Sequence, residues 1–313
     1  MEQPAKRTIL VPLDRSELSE RALGPARQLA HSMNASLVLL HILPDQDPSF
    51  IIHSDLIASG DEYLNGIAAG LRTHDVHVVT QVRVGAAAAC IVDQAALWHS
   101  SLIVMSTHGH GGLSLLIHGS VAEHVVQASP VPVLLVPARG EKLPTLHGDT
   151  VTVAVDGSIF AEMALAYAVE LARELTLSIV IVSAVSWPML PVESAVTSAS
   201  MLESTLTEAR AYVDRLVESV RRVGVDARGV VTVAQPATLI LETAEAANAA
   251  AIVMATHGRS GLARMAFGSV AMAVLSQTTR PLLLTRPHHT PKSSLVDVRD
   301  ESAGSQKDAL TAR

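Results

Sequence analysis

The sequence predicts an α/β chain made of two tandem, doubly wound, five-stranded parallel-sheet domains. Three observations carry that reading. Short apolar runs alternate with stretches of helical periodicity, the pattern of strand and crossover helix that builds a parallel sheet. The pattern occurs twice in the same order. Apolar residues make up 49% of the 313 residues, charged residues 17% and aromatics only 3%, the Ala/Val/Leu/Ile-rich composition of strands covered on both faces.

In the first half, Thr8 to Leu13 reads as a buried strand ending at Asp14. Ser16 to Met33 carries Leu18, Ala22, Leu23, Ala26, Leu29 and Ala30 at helical spacing, with Ser16 as N-cap. Ser36 to Leu43 is a second strand. Pro44 to Ser59 starts irregularly and then joins a helix reaching about Thr73. Val76 to Val84 is a strand, Ala86 to Trp98 a helix and Leu102 to Ser106 the fourth strand. A loop from Gly109 to Gly119 leads into a helix from Ser120 to Ala128 and a fifth strand, Val131 to Val136. Pro137 to Asp149, rich in charge, Pro and Gly, reads as a linker.

The second half repeats the order: strand Val151 to Val155, helix Ala161 to Leu175, strand Ser178 to Val185 and a helix from about Ser194 to Val223. Strand Val230 to Ala234, helix Ala237 to Ala247, strand Ala251 to Ala255 and strand Pro281 to Thr285 complete it. The domains are therefore expected at 1–144 and 145–287, with 288–313, polar and non-periodic, a disordered tail.

Several classes are excluded by composition. Net charge is −7, shared as −4 over residues 1–144 and −3 over 145–290. Basic residues are scattered and aromatics few, so no nucleic-acid surface is expected. Lysine occurs only at Lys6, Lys142, Lys292 and Lys307, which leaves neither core a Schiff-base or phosphate-loop lysine. Cys90 is alone and offers no disulfide framework; a small buried residue in a helix is its simplest role. No signal-peptide core and no apolar run long enough for a bilayer is present, so a cytoplasmic protein with no membrane contact is expected.

The chemistry concentrates in two matching stretches. Ser106-Thr107-His108-Gly109, nine residues, Gly119-Ser120 recurs as Ala255-Thr256-His257-Gly258, nine residues, Gly268-Ser269, 149 positions later. In a doubly wound sheet, ligands sit past the carboxyl ends of strands where the strand order reverses. If the first and fourth strands are neighbours, Asp14 faces Ser106–Gly119 and Asp156 faces Ala255–Gly268. Amides of Gly119, Ser120 and Val121, opening a helix, would receive an anion. The hydroxyls of Ser120 and Ser269 add donors, and Arg259 could clamp a phosphate, its counterpart His110 more weakly. Asp14 and Asp156 suit a ribose hydroxyl, a base amine or a divalent cation; Ile42 and Ala184 could pack on a base. Plainer readings stand beside these. Ser120 with Glu123 is a capping box, Ser269 a plain N-cap, and the aspartates could cap the first helices. The histidines at 108, 110, 118 and 124 invite a zinc reading, but no cysteine or fixed third ligand joins them. The lysine-bearing phosphate loop, the dinucleotide fingerprint and a serine nucleophile elbow are all missing.

With Asp14 and Asp156 each closing a first strand and the Thr-His-Gly, nine-residue, Gly-Ser stretch occurring twice, the chain resembles a tandem universal stress protein over residues 6–138 and 149–286. The resemblance implies Rossmann-like domains of the adenine nucleotide alpha hydrolase-like kind and ATP as ligand, with Mg2+ or Mn2+. It places Pro12, Asp14 and Ile42 at adenine and ribose in the first half. Met105, Ser106 and Gly109, with Gly119, Ser120 and Val121, would hold the phosphates. The second-half set is Asp156, Ala184, Ala255, Gly258, Gly268, Ser269 and Val270. Each copy departs from the family pattern at its first glycine, which is Ser106 in one and Ala255 in the other, and Ala154 stands where Pro12 stands. The family pairs domains through the fifth strand, so the two halves are expected to join there, with homodimerisation open. The expected role is regulatory, a stress-response sensor rather than an enzyme; the alternatives are an interaction module with degenerate pockets and a slow ATP hydrolase.

Overall fold

The computed structural model describes residues 7–45, 50–72, 76–107, 120–139, 144–186, 195–256, 268–286 and 289. The first half runs β1 (Thr8–Leu13), α1 (Glu17–Glu20), α2 (Leu23–Ser32), β2 (Ser36–Leu43), α3 (Phe50–Arg72), β3 (Val78–Val84), α4 (Ala87–Leu97), β4 (Leu102–Ser106), α5 (Ser120–Ala128) and β5 (Val133–Val136). The second runs β6 (Thr150–Ala154), α6 (Ile159–Leu175), β7 (Ser178–Val185), α7 (Ala195–Arg222), β8 (Ala227–Val233), α8 (Pro236–Ala246), β9 (Ala249–Ala255), α9 (Ser269–Gln277) and β10 (Leu282–Thr285).

All ten strands form one sheet, ordered β3-β2-β1-β4-β5-β10-β9-β6-β7-β8. Within each half the pairing is parallel, and the order reverses between β1 and β4 and between β6 and β9. The two halves meet at an antiparallel seam, Leu282↔Leu135, Leu283↔Leu134 and Leu284↔Val133. Two copies related by a two-fold axis present the same strand to each other, and that operation makes the strands antiparallel. The seam also pairs two apolar strands that would otherwise be open edges.

Both faces are covered. Leu37 and Leu39 of β2 point into one core with α2, α3, α6 and α7; Val38 and Leu40 point into the other with α4, α5, α8 and α9. The linker is tied to α2: the Gln28 amide donates to the Leu146 carbonyl at 2.8 Å and accepts from the Leu146 N–H at 2.8 Å. Arg7 bridges to Glu170 at 3.1 Å and Glu174 at 2.7 Å across the halves, a contact that is partly exposed and modest in energy.

Several expectations are corrected. The helix expected over Ser16 to Met33 is two helices, because Pro25 has no N–H for the Arg21 carbonyl and its ring crowds that turn; Arg21 and Ala22 instead make i−3 bonds to Leu18 and Ser19. Helix α3 begins at Phe50, inside the stretch expected to start irregularly and then join a helix. Strand β8 begins at Ala227, ahead of Gly229. That glycine is a packing site rather than a breaker: a Cβ there would lie 2.5 Å from Val213 Cγ1 of α7. Cys90 is half-buried, not buried. His289, placed in the tail by composition, is 2% exposed. Its Nδ1 accepts from the Arg286 N–H at 3.0 Å, so its Nε2 donates to the Ser129 carbonyl at 3.1 Å.

Candidate nucleotide site

The ends of the first strands are built alike in both halves. Asp156 Oδ1 accepts from the Ser158 N–H at 3.0 Å and the Ser158 hydroxyl at 2.6 Å. Ser158 Oγ then accepts from the Ala161 N–H at 3.2 Å, capping α6. Asp14 holds Ser16 in the same way, at 3.0 and 2.5 Å, and Ser16 caps α1 through the Ser19 N–H. The serines are therefore the caps. Each aspartate fixes the turn that carries its serine, at the carboxyl end of its strand.

A cavity of about 720 Å³ opens at the carboxyl ends of β6, β7 and β9, within the range of small-molecule sites. Asp156 and Gly157 form one wall, Ser183 and Ala184 another, and Ala255, Thr256, Gly268, Ser269 and Val270 a third. The strand reversal thus brings together every second-half residue of the expected set that is described. Gly258 and Arg259 lie outside the described residues.

Helix α9 aims its N-terminus into this cavity. Its N-cap is Gly268, with φ −67° and ψ 156° and no side-chain cap; Ser269, expected as the cap, is the first helical residue. The first intrahelical donor is Met272, bonded to the Gly268 carbonyl at 3.0 Å, so the amides of Ser269, Val270 and Ala271 precede the helix's own ladder. The Gly268 amide differs from expectation. It donates to the Thr256 carbonyl at 2.7 Å, so the amides open to an anion would begin one residue later, at Ser269. Thr256 is itself held by its N–H to the Thr285 carbonyl at 2.9 Å.

The fourth wall comes from α7. Thr205, Glu208, Ala209 and Tyr212 line the cavity, and none was foreseen. A signal existed: Tyr212 lies 149 positions after Tyr63, the offset of the loop repeat. The described lining contains two carboxylates, Asp156 and Glu208, and no Lys, Arg or His. A polyphosphate placed here would need its charge offset by a divalent cation or by a residue outside the described set.

In the first half, Pro12 is buried in central β1 and Asp14 is half-buried beyond it. Pro12 brings no N–H to the ladder; β1 pairs with β4 through Leu10↔Ile103, whereas β6 pairs with β9 through Val153↔Val253, one residue further along. Ile42 is half-buried on β2, and Met105 and Ser106 are buried at the end of β4, 6% and 7% exposed. Ser120 is exposed and Val121 half-buried in the first turn of α5. Ser120 is the first residue of the helix rather than its N-cap, so it does not form the expected capping box with Glu123. Gly109, His110 and Gly119 lie outside the described residues. So do His108 and His118 of the histidine cluster; His124 Nδ1 lies 2.6 Å from the Ser120 carbonyl. Among the described residues no three His, Cys, Asp or Glu side chains gather as metal ligands, and no helix is long and apolar enough to cross a membrane.

Known proteins divide along the same halves. A family model described as the universal stress protein family matches residues 6–137 and again 148–286. A universal stress protein of Mycolicibacterium smegmatis is 26% identical over 306 residues, which cover 89% of this chain and 97% of that one. One from Methanocaldococcus jannaschii is 30% identical over 136 residues, 41% of this chain and 80% of its own. Among solved structures, a universal stress protein from Archaeoglobus fulgidus has the same fold, with a TM-score of 0.66 at 19% identity, covering 89% of this chain and 96% of that one.

Proposed function

This chain belongs to the universal stress protein family, and on that premise we propose that it is a regulatory adenine-nucleotide-binding protein of the stress response. ATP with Mg2+ or Mn2+ is the favoured ligand. The observation that carries the reading is the second-half cavity, where the uncapped amino end of α9 and the Asp156 carboxylate face one space. The donor set fits the ligand. Backbone amides of Ser269 to Ala271 and the Ser269 hydroxyl suit phosphate oxygens, while Asp156 suits a ribose hydroxyl or a bound cation. The two carboxylates of the lining favour a metal-complexed polyphosphate over a bare one.

In this reading the nucleotide is a signal read through occupancy of the crevice, with hydrolysis slow at most. The mechanism is a linkage: whatever occupies the crevice joins β6, α7 and α9, and stabilises the chain by an amount that rises with the logarithm of its concentration over its Kd. We place this activity in the cytoplasm, with 1–144 and 145–287 as the two domains.

Acid extraction of the purified protein should release adenine nucleotide, and millimolar Mg-ATP should raise the melting temperature. Asp156→Asn keeps an oxygen for the two Ser158 bonds and removes only the charge. Calorimetric titration of that variant should show affinity down about tenfold, the difference between a charged and a neutral acceptor. Unchanged affinity would remove Asp156 from the site, and no thermal shift in the parent would remove the nucleotide.

A further inference from the structure

We propose that the two crevices are unequal: the first is filled by this chain's own side chains, and the protein takes one nucleotide, in its second half. This deepens the nucleotide reading and rests on it.

Corresponding positions of the halves carry the case. At the bend after the first strand both halves need a left-handed residue. The second half uses Gly157 at φ 82°, the first uses Arg15 at φ 68°, a conformation that side-chain-bearing residues rarely adopt. Arg15 then reaches from the end of β1 to helix α3. Its Nη2 donates to Ser59 Oγ at 2.9 Å, and its guanidinium lies 5.6 Å from the centre of the Tyr63 ring. In the second half the residues matching Ser59 and Arg15 are Glu208 and Gly157, and both line the cavity.

Behind that strap the space is occupied by a fixed ring. His41, 5% exposed, holds its Nδ1 2.8 Å from the Leu13 carbonyl and meets the Tyr63 ring edge-on, centroids 5.8 Å apart. Tyr63 is held in turn by its hydroxyl, which donates to Glu20 at 2.9 Å; burial and that bond push the phenol up, keeping its proton in place. Helix α3 sits so close that a Cβ on Gly60 would lie 3.2 Å from His41 Cδ2. The matching second-half residues are Ser183, Tyr212 and Ala209, and all three line the open cavity. An arginine and an imidazole thus fill in one half what a glycine and a serine leave empty in the other. The first half then serves as the fixed partner across the β5–β10 seam, and the signal is carried by the second.

Equilibrium dialysis of labelled ATP with Mg2+ against the full chain counts the sites. The parent should bind one nucleotide per chain. Gly157→Arg should weaken that binding at least about tenfold, since Arg15 shows that the bend accepts arginine. Ser183→His does the same from the other wall, should the first variant melt early. Arg15→Gly with His41→Ser should add a second site. Two sites of similar affinity in the parent, or binding that survives both closing variants, would overturn the inference while leaving the nucleotide reading intact. No binding to a folded parent would overturn the nucleotide reading and this inference with it.

Discussion

Gly268→Asp should cost nucleotide affinity about 100-fold or more without lowering the melting temperature. The backbone at Gly268, φ −67° and ψ 156°, is ordinary extended conformation, which aspartate adopts freely at an N-cap. There its carboxylate accepts the amides of the first turn, and helix stability changes by no more than a few tenths of a kcal/mol in the favourable direction. Those are the amides a phosphate would use. Two charge-assisted bonds at about 1.5–3 kcal/mol each are lost to the ligand, which converts to roughly two to four orders of magnitude in Kd. The Gly268 N–H stays with the Thr256 carbonyl, so the loop base is not disturbed. Calorimetric titration beside a thermal melt checks both halves of the statement. Retained affinity would show that the ligand does not use α9. A large fall in melting temperature would trace the loss to a broken loop and not to competition for the amides.

Gly148→Ala should destabilise the fold by about 3 kcal/mol or more, the range of strained backbone together with overpacking. Gly148 has φ 149°, in a region that glycine occupies almost alone. A Cβ there would stand 2.2 Å from the Asn248 carbonyl oxygen and 2.8 Å from the Ala250 amide nitrogen. Both are backbone atoms, and the carbonyl is held by the Asp149 N–H at 2.9 Å, so neither can swing aside as a side chain would. The contact lies where the chain enters β6, beside the irregular register of Thr150 and Val151 against β9. Since β6 delivers Asp156, the damage should fall on the second half and its cavity. In a thermal melt the expected loss is on the order of 5–10 °C, at about 2–4 °C per kcal/mol for a domain of this size. A shift under about 1 °C would mean that the chain enters β6 by another path.

Much of this fold was legible because it is written twice. A parallel strand buried on both faces must be apolar throughout, and β2 and β7 (Ser36–Leu43 and Ser178–Val185) were placed to the residue. The neighbouring of first and fourth strands entered the sequence reading as a condition and through the family resemblance, and the structure shows it, β1 beside β4 and β6 beside β9. Four features escaped for physical reasons. Pro25 sits inside a helical periodicity, and apolar spacing records which face is buried, not which amides are missing. The strand was expected to begin at Val230, yet β8 runs through Gly229, where the absence of a Cβ lets α7 lie on it. The α7 wall of the cavity was hidden because Thr205, Glu208 and Tyr212 carry no local motif; only the tertiary fold brings that helix over β7. The Gly268 amide belongs to the same group, because a spacing of glycines cannot say which carbonyl a loop closes upon.

The most direct test follows the backbone amides themselves in a ¹⁵N–¹H correlation spectrum titrated with Mg-ATP. Ser269, Val270 and Ala271 should move saturably, with one shared Kd, while the Gly268 amide, held by Thr256, moves less and the first-half residues Ser120 and Val121 stay in place. Saturable shifts elsewhere, with Ser269 to Ala271 unmoved, would contradict the account.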